Sequence, residues 1–540
     1  MCFDERRIDA IFEKLDQCRF PGVVVGIALD GKPIYRKGFG LASMELPVPL
    51  APTTRLRIAS ETKHFTSLVY LLLCEEGKAA LDDPLERFLP ELHRVTRGVT
   101  MRQLMGHVSG LHDSHDICWL FSGRKERVSS DQLLSLYRDI DSVNAAPGRT
   151  WLYNNGGYLL LTAVIERITD QPLEQVLKER VFDPIGMYDT LLRRFDDDFV
   201  PNSATLHRAK AQPAYESTIV RLGTPAAGFE KTLTSTAWAG EGGMVSTVDD
   251  MMRWLAHMDL PVVGSPRTWN TLFTPLTLAN GTSTGYALGL MRGRYRGVET
   301  IHHAGGVTGG NAHMLKVPSA GLDIVVMANR DDVVGVLLVN EILDACLPEL
   351  AHARLVKRCA PAEGTFRSHT QPRVIQLFAK GEQQMASING MDMPVEQDEN
   401  GVLWPAGIFS YLKQSITLLG NDAARPAAIE FRDFGNVDQL LRVHPDRQHA
   451  PKDIIDRYRS DTIATDAEIS EGAGDPVFTT FGHFGSARFK LEALGEGAWR
   501  ARSTDTAMSW TGGILLFDTG ADRFQFSASR TWGIPFRRFT

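Results

Sequence analysis

The stretch Arg57-Ile58-Ala59-Ser60-Glu61-Thr62-Lys63-His64-Phe65 opens a strongly patterned helix. From Ser60 to Glu76 there is neither glycine nor proline, Phe65, Leu68, Leu71 and Leu72 recur with helical period, and Gly77 ends the run. Ser60 and Lys63 stand three apart at its start, so both project from one face. A serine hydroxyl is a poor nucleophile until a base takes its proton. A lysine does so only when burial or a neighbouring cation depresses its pKa. A helix N-terminus also aims free N–H groups at a developing oxyanion. The plain alternative for Ser60 is an N-cap. The same S-x-x-K spacing recurs at Ser122/Lys125 and Ser410/Lys413. The first falls before Gly123-Arg124 and reads as a polar loop. The second falls in an expected strand, where residues three apart face opposite ways.

Two more elements belong with Ser60. Tyr153-Asn154-Asn155 lies in the loop Pro147 to Gly157, which is bounded by proline and glycine and leads into a helix. A tyrosine near cations ionises more readily and relays protons; the alternative is a core tyrosine beside a capping asparagine. His302-His303-Ala304-Gly305-Gly306 follows a strand, so only one histidine faces a cleft, and the glycines admit a substrate backbone. His483-Phe484-Gly485 repeats the H-x-G spacing. His112, His115 and Asp116 have the residue types of metal ligands but lie in an expected polar loop without distant partners, so no metal or cofactor is expected. Glu61 and Asp196-Asp197-Asp198 read as solvated charge. Trp119, Trp151 and Trp238 line either the cleft or the core.

Outward from these residues, Gly22 to Leu29 and Lys32 to Gly38 form two strands around the Asp30-Gly31 turn. Helices are expected at 7–18, 158–169, 172–182, 248–258 and 335–347, and strands at 297–303 and 322–328. Terminal strands around a helix-rich insertion make an α+β domain over 1–350, an antiparallel sheet flanked by helices. Short alternating runs separated by Gly, Asn and Asp follow, at 373–379, 407–419, 428–432, 438–442, 477–481, 487–491, 514–518 and 523–529. They read as two small antiparallel β-barrels, 351–450 and 451–540, divided near His449-Ala450-Pro451.

Composition narrows the function classes. Of 540 residues, 43 % are hydrophobic and 23 % charged, which is globular usage. Lys+Arg 58 against Asp+Glu 65 leaves a net charge of −7, without the basic block that nucleic acid requires. No apolar run approaches the roughly 18 residues of a membrane span. Cys2, Cys18, Cys74, Cys118, Cys346 and Cys359 are scattered without a C-x-x-C pair, which fits neither zinc ribbon nor disulfide framework. With no apolar leader at its start, the chain is expected to be cytoplasmic.

Ser60-x-x-Lys63, Tyr153-x-Asn155 and His303-x-Gly305 stand in the order and spacing of serine β-lactamase-like, class C penicillin-recognising hydrolases, and the chain resembles that family over residues 5–350. Supporting matches are Leu104 to Leu111, Glu241 to Asp250, Tyr286-Ala287-Leu288-Gly289 and Val326 to Asn329. With two β-barrels after a β-lactamase/transpeptidase-like domain, it is most similar to bacterial D-aminopeptidases. The resemblance implies that Ser60 forms an acyl-enzyme, Lys63 keeps it deprotonated and Tyr153 exchanges protons with the leaving amine and the water. It implies that Asn155 positions the substrate amide, that Gly305 and Gly306 border the substrate, and that the Ser60 and Gly306 N–H groups form the oxyanion hole. His303 replaces the lysine of β-lactamases. A neutral histidine claims a substrate carboxylate weakly, which favours recognition at a free amino end. A loop of the last barrel, Gly472 to Arg488, would gate the site. The expected substrate is a short peptide or amide, with D-residues preferred, and a homodimer is an allowed assembly. The alternatives are a carboxylesterase, a peptidase for linearised D-residue-containing cyclic peptides, and a non-catalytic penicillin-binding-like sensor.

Overall fold

Val23–Leu29 (β1) alternates between two helical layers, and this alternation organises the catalytic domain of the computed structural model, which describes residues 3–13, 15, 19–210, 228–350, 361–444, 450–508 and 511–539. Val23, Val25 and Ile27 pack with Leu322, Ile324 and Val326 against the helices Glu5–Phe12 (α1) and Gly335–Cys346 (α2). Val24, Ala28, Val325 and Met327 face the other way, into the larger core. That period of two buries both faces of one sheet. The sheet has six antiparallel strands. β1 pairs with Lys32–Phe39 (β2) on one side and with Leu322–Ala328 (β3) on the other. Beyond β3 lie Gly310–Val317 (β4), Val298–Val307 (β5) and Met291–Tyr295 (β6). The helix Val248–Asp259 (α3) lies close on β1 at Gly26, where a Cβ would stand 2.4 Å from Val248 Cγ1.

Between β2 and β6 runs the helix-rich insertion. Its central helices are Thr62–Glu75 (α4) and Asn155–Thr169 (α5), joined by Ser114–Ser122 (α6). The expected helix at 172–182 begins as Leu173–Leu177, widens into a π-helical turn over Lys178–Phe182 and closes at Gly186. The helix expected over 7–18 is the segment Glu5–Phe12; residues 14 and 16–18 lie outside the described residues.

Two closed barrels of eight antiparallel strands follow, the first from Gly364–Ser368 to Asn436–Arg442, the second from Asp456–Ser460 to Ile534–Arg538. Eight strands leave an interior just wide enough for side chains, and Phe366, Ile375, Phe409, Ile416 and Phe431 fill the first. The expected strand at 407–419 is divided: Gly407–Phe409 is a 3-10 turn and the strand begins at Gln414. Trp151 of the catalytic domain packs against Phe434 (5.1 Å) and Tyr411 (6.1 Å) of the first barrel. In the second barrel the strand Gly485–Gly495 and its neighbour pack on α6.

Candidate active site

Ser60 stands in the 3-10 turn Ala59–Glu61, which runs straight into α4, rather than at the first position of the α-helix itself. Ala59 takes φ +47°, a left-handed conformation that costs a residue with a Cβ free energy and persists only under constraint. β5 supplies the constraint. A Cβ on Gly305 would stand 2.0 Å from the Ile58 carbonyl oxygen, so only glycine lets the strand lie against the turn. Gly305 therefore seats the turn that carries Ser60 and does not border the cleft, whereas Ser60 and Gly306 do.

Lys63 lies behind Ser60, fully buried. Its Nζ donates to Asn155 Oδ1 at 2.9 Å and to the Glu241 carbonyl at 2.5 Å, and lies 3.2 Å from Ser60 Oγ. Burial is the main cause that draws its pKa down to about 7; Glu241 and Asp113 oppose that and Arg530 adds to it. A neutral amine has two N–H groups and one lone pair. Two carbonyl oxygens occupy the N–H groups, and the lone pair is left for the Ser60 hydroxyl.

The Tyr153 hydroxyl is hydrogen-bonded to Ser60, and the Lys63 amine lies 4.8 Å from the centroid of the Tyr153 ring. Burial raises the phenol's pKa and outweighs the Ser60 hydrogen bond and the Arg530 cation, which both favour ionisation, so Tyr153 stays protonated. His303 Nδ1 lies 2.7 Å from the Ala304 carbonyl and must donate to it. Its Nε2 then accepts from the Tyr286 hydroxyl at 3.0 Å. Burial, first, and then Lys63 hold this imidazole well below its ordinary pKa, so it is neutral. His302 faces away and stacks on His313. His107 accepts the Asn154 N–H at 3.1 Å and lies 4.3 Å from the Tyr153 ring.

Several expectations need correction. Residues 112–116 are not a polar loop: the Asp113 side chain caps α6 through the His115 N–H, and the whole helix is buried. Asp113 also accepts the N–H groups of Asn155 (2.9 Å) and Gly156 (3.2 Å). His115 lies 3.7 Å from Asp113 and 3.4 Å from Glu241, and these two carboxylates hold its proton against burial. Glu61 is buried, not solvated, and burial raises its carboxyl pKa against a bond from the Met314 N–H. Asp196 is likewise buried, on Arg57 (2.8 Å) and Arg193 (3.1 Å), whereas Asp197 and Asp198 are exposed beside Arg127. Ser122 ends the buried α6, where its hydroxyl accepts the Phe484 N–H. Lys413, the partner of Ser410, donates to the Ser283 carbonyl.

The cleft in front of Ser60 is a cavity of about 480 Å³ shared by three domains. Tyr153, Asn155, His303, Trp119, Trp151 and Trp238 line it from the catalytic domain, Tyr411 and Phe434 from the first barrel. The second barrel contributes Met508, Arg530 and Trp532. The expected gating stretch 472–488 borders none of it. That stretch is a hairpin, Val477–Gly482 with Gly485–Gly495, pressed on α6 at Ser122. A strand pair has satisfied its backbone groups internally and packs by its side, so a turn elsewhere in the barrel reaches the cleft. Sequence reading missed Arg530, because it meets Asp116 across 414 residues and no local pattern announces it. For Asp113 a signal existed: it precedes Ile117 to Phe121, an apolar run that a capping residue introduces.

This fold and this serine–lysine–tyrosine cluster define a serine hydrolase. The chain belongs to the Beta-lactamase family, whose model matches residues 8–345. It is 25 % identical to a D-aminopeptidase of Brucella melitensis over 89 % of this chain and 87 % of that one. It is 28 % identical to a D-aminopeptidase of Gluconobacter oxydans over 60 % of this chain and 59 % of that one. Among solved structures, the octameric penicillin-binding protein homologue from Pyrococcus abyssi matches with a TM-score of 0.57 and 20 % identity, over 81 % of this chain and all of that one.

Proposed function

We propose that this hydrolase releases N-terminal D-residues from short peptides and amides through an acyl-enzyme. One observation carries the mechanism: the Lys63 amine, drawn down to about 7, has both N–H groups taken by carbonyls and Ser60 Oγ at 3.2 Å. Ser60 Oγ attacks the scissile carbonyl carbon and its proton passes to Lys63 Nζ. The oxyanion faces the Ser60 and Gly306 N–H groups. As the C–N bond breaks, the Tyr153 phenol gives its proton to the leaving amine and regains one from Lys63. Water then repeats the sequence on the ester. Asn155 holds Lys63 and, beside the cleft, the substrate amide. A neutral His303, engaged by Tyr286, offers no cation to a substrate carboxylate, which supports recognition at the amino end. Support for the D-residue preference comes from the two D-aminopeptidases.

The test is a panel of D-Ala and L-Ala p-nitroanilides, p-nitrophenyl esters and nitrocefin, with wild type and Ser60→Ala. Turnover of D-anilides is expected, with loss of several orders of magnitude in the variant. Ester cleavage without anilide cleavage would favour an esterase, and acylation without turnover a sensor. Wild-type rates in Ser60→Ala would end the reading.

A further inference from the structure

Arg530 lies outside every motif used above. It occupies the turn between the last two strands of the second barrel, Arg523–Ser527 and Ile534–Arg538. One catalytic-domain side chain fastens that turn at two points. Asn144 Nδ2 donates to the Arg530 carbonyl at 2.9 Å, and Asn144 Oδ1 accepts the Trp532 N–H at 2.7 Å. The clamp aims the guanidinium into the cleft, 6.0 Å from the centroid of the Tyr153 ring. Nη2 and Nε donate to the two oxygens of Asp116 at 2.5 and 3.2 Å, and Nη1 lies 3.6 Å from Asp113 Oδ2. All three side chains are largely withdrawn from water, with relative exposures of 20 % for Arg530, 6 % for Asp116 and 1 % for Asp113.

Asp113 is where this contact meets the chemistry. Its carboxylate accepts the N–H of Asn155, and Asn155 Oδ1 accepts from Lys63 Nζ. A continuous series of polar contacts therefore runs from the last barrel to the amine beside Ser60. We propose that Arg530 is a positioning residue of the hydrolytic site: forked across Asp113 and Asp116, it fixes Asn155 against Lys63 and so makes the catalytic domain depend on the docked second barrel. The proposal rests on Lys63 being the base that serves Ser60.

Electrostatics gives the arrangement a distinct signature. The charged groups facing Lys63 are Glu241 and Asp113, which hold protons on it, and Arg530, which repels them. Around it also stand His107 and His303, both neutral, the phenols Tyr153 and Tyr158 and, across the two carboxylates, the cationic His115. Removing Arg530 takes away the fork on Asp116, leaves His115 as the cation beside Asp113, and draws a proton onto Lys63. A merely structural role in docking the barrel has no such consequence.

The test is kcat/KM against pH for the full chain and its Arg530→Ala and Arg530→Lys variants, on whichever substrate of the panel is turned over. Arg530→Ala is expected to lose about tenfold or more and to move the acid limb, near pH 7 in the wild type, upward by about one unit. Arg530→Lys is expected to restore the limb but only part of the rate, since an ammonium cannot fork across two carboxylates. Millimolar guanidinium is expected to rescue Arg530→Ala. An unmoved acid limb in an Arg530→Ala protein of wild-type melting temperature would overturn the proposal. So would a rate loss that neither lysine nor guanidinium recovers, which marks undocking alone. If Ser60→Ala loses turnover while Arg530→Ala keeps the wild-type profile, only this proposal falls. If Ser60→Ala keeps its rate, the functional reading falls and takes this one with it.

Discussion

Lys63 and His115 are two fully buried cation-forming side chains that both contact Glu241, and the protein drives them in opposite directions. The Lys63 amine meets the backbone carbonyl of Glu241 and the side-chain carbonyl of Asn155, and burial pulls it down to about 7. His115 suffers the same burial, but the carboxylates of Asp113 and Glu241 overcome it and push the imidazole up to about 9. Burial sets the penalty on charge; the formal charge of the partner decides whether the penalty stands. Near neutral pH the first group is poised to accept a proton, while the second holds its proton as a structural cation.

Breaking the first half of this contrast has the largest expected effect. Lys63→Met keeps much of the apolar stem but removes the base, and kcat/KM is expected to fall by about a thousandfold or more with folding retained. Wild-type rates in the variant would show that the carbonyl-bound amine does not serve Ser60.

The second half is read through stability. His115 has a folded-state pKa raised from 6.5 to about 9, so its contribution is fully present below pH 6.5 and is lost as pH rises through 9. Lys63 has a folded-state pKa lowered from 10.5 to about 7, so its destabilising effect is present below pH 7 and is relieved as pH rises to 10.5. The two slopes oppose each other in the wild type. Lys63→Met is expected to expose the His115 slope, a fall of about 3 kcal/mol from below pH 6.5 to above 9. Unfolding midpoints at the two ends of that range measure it; identical pH dependence in wild type and variant would defeat the contrast. The smallest effect is expected at a look-alike: Lys413→Ala, whose amine donates to the Ser283 carbonyl, should leave kcat/KM within about twofold. A larger loss would mean that the S-x-x-K spacing at Ser410 matters to the reaction.

How much was legible follows from how far each signal extends along the chain. Four of the sheet's six strands and the helix α4 are legible, because β1 and β3 carry apolar runs bounded by turn residues and α4 keeps its period for four turns; β4 and β6 are not. The barrels were readable as short alternating strands. Glu61 reads as solvated because a lone carboxylate in a polar stretch carries no local sign of burial, whereas β4 and β5 cover it. Asp196 was misread inside a run of three, although Arg57 and Arg193 take only the first. Tyr153 was expected to ionise more easily because nearby cations can be anticipated; its burial cannot.

The sequence by itself determined the order of the elements and the three-residue spacing that puts Lys63 one helical turn from Ser60, since these depend on residues a few positions apart. Only the tertiary structure decided the state of that lysine, the neutrality of His303 and the entry of Arg530 from a barrel turn. Those depend on the dielectric and the charges created when distant segments exclude water together, and no window of neighbouring residues records that exclusion.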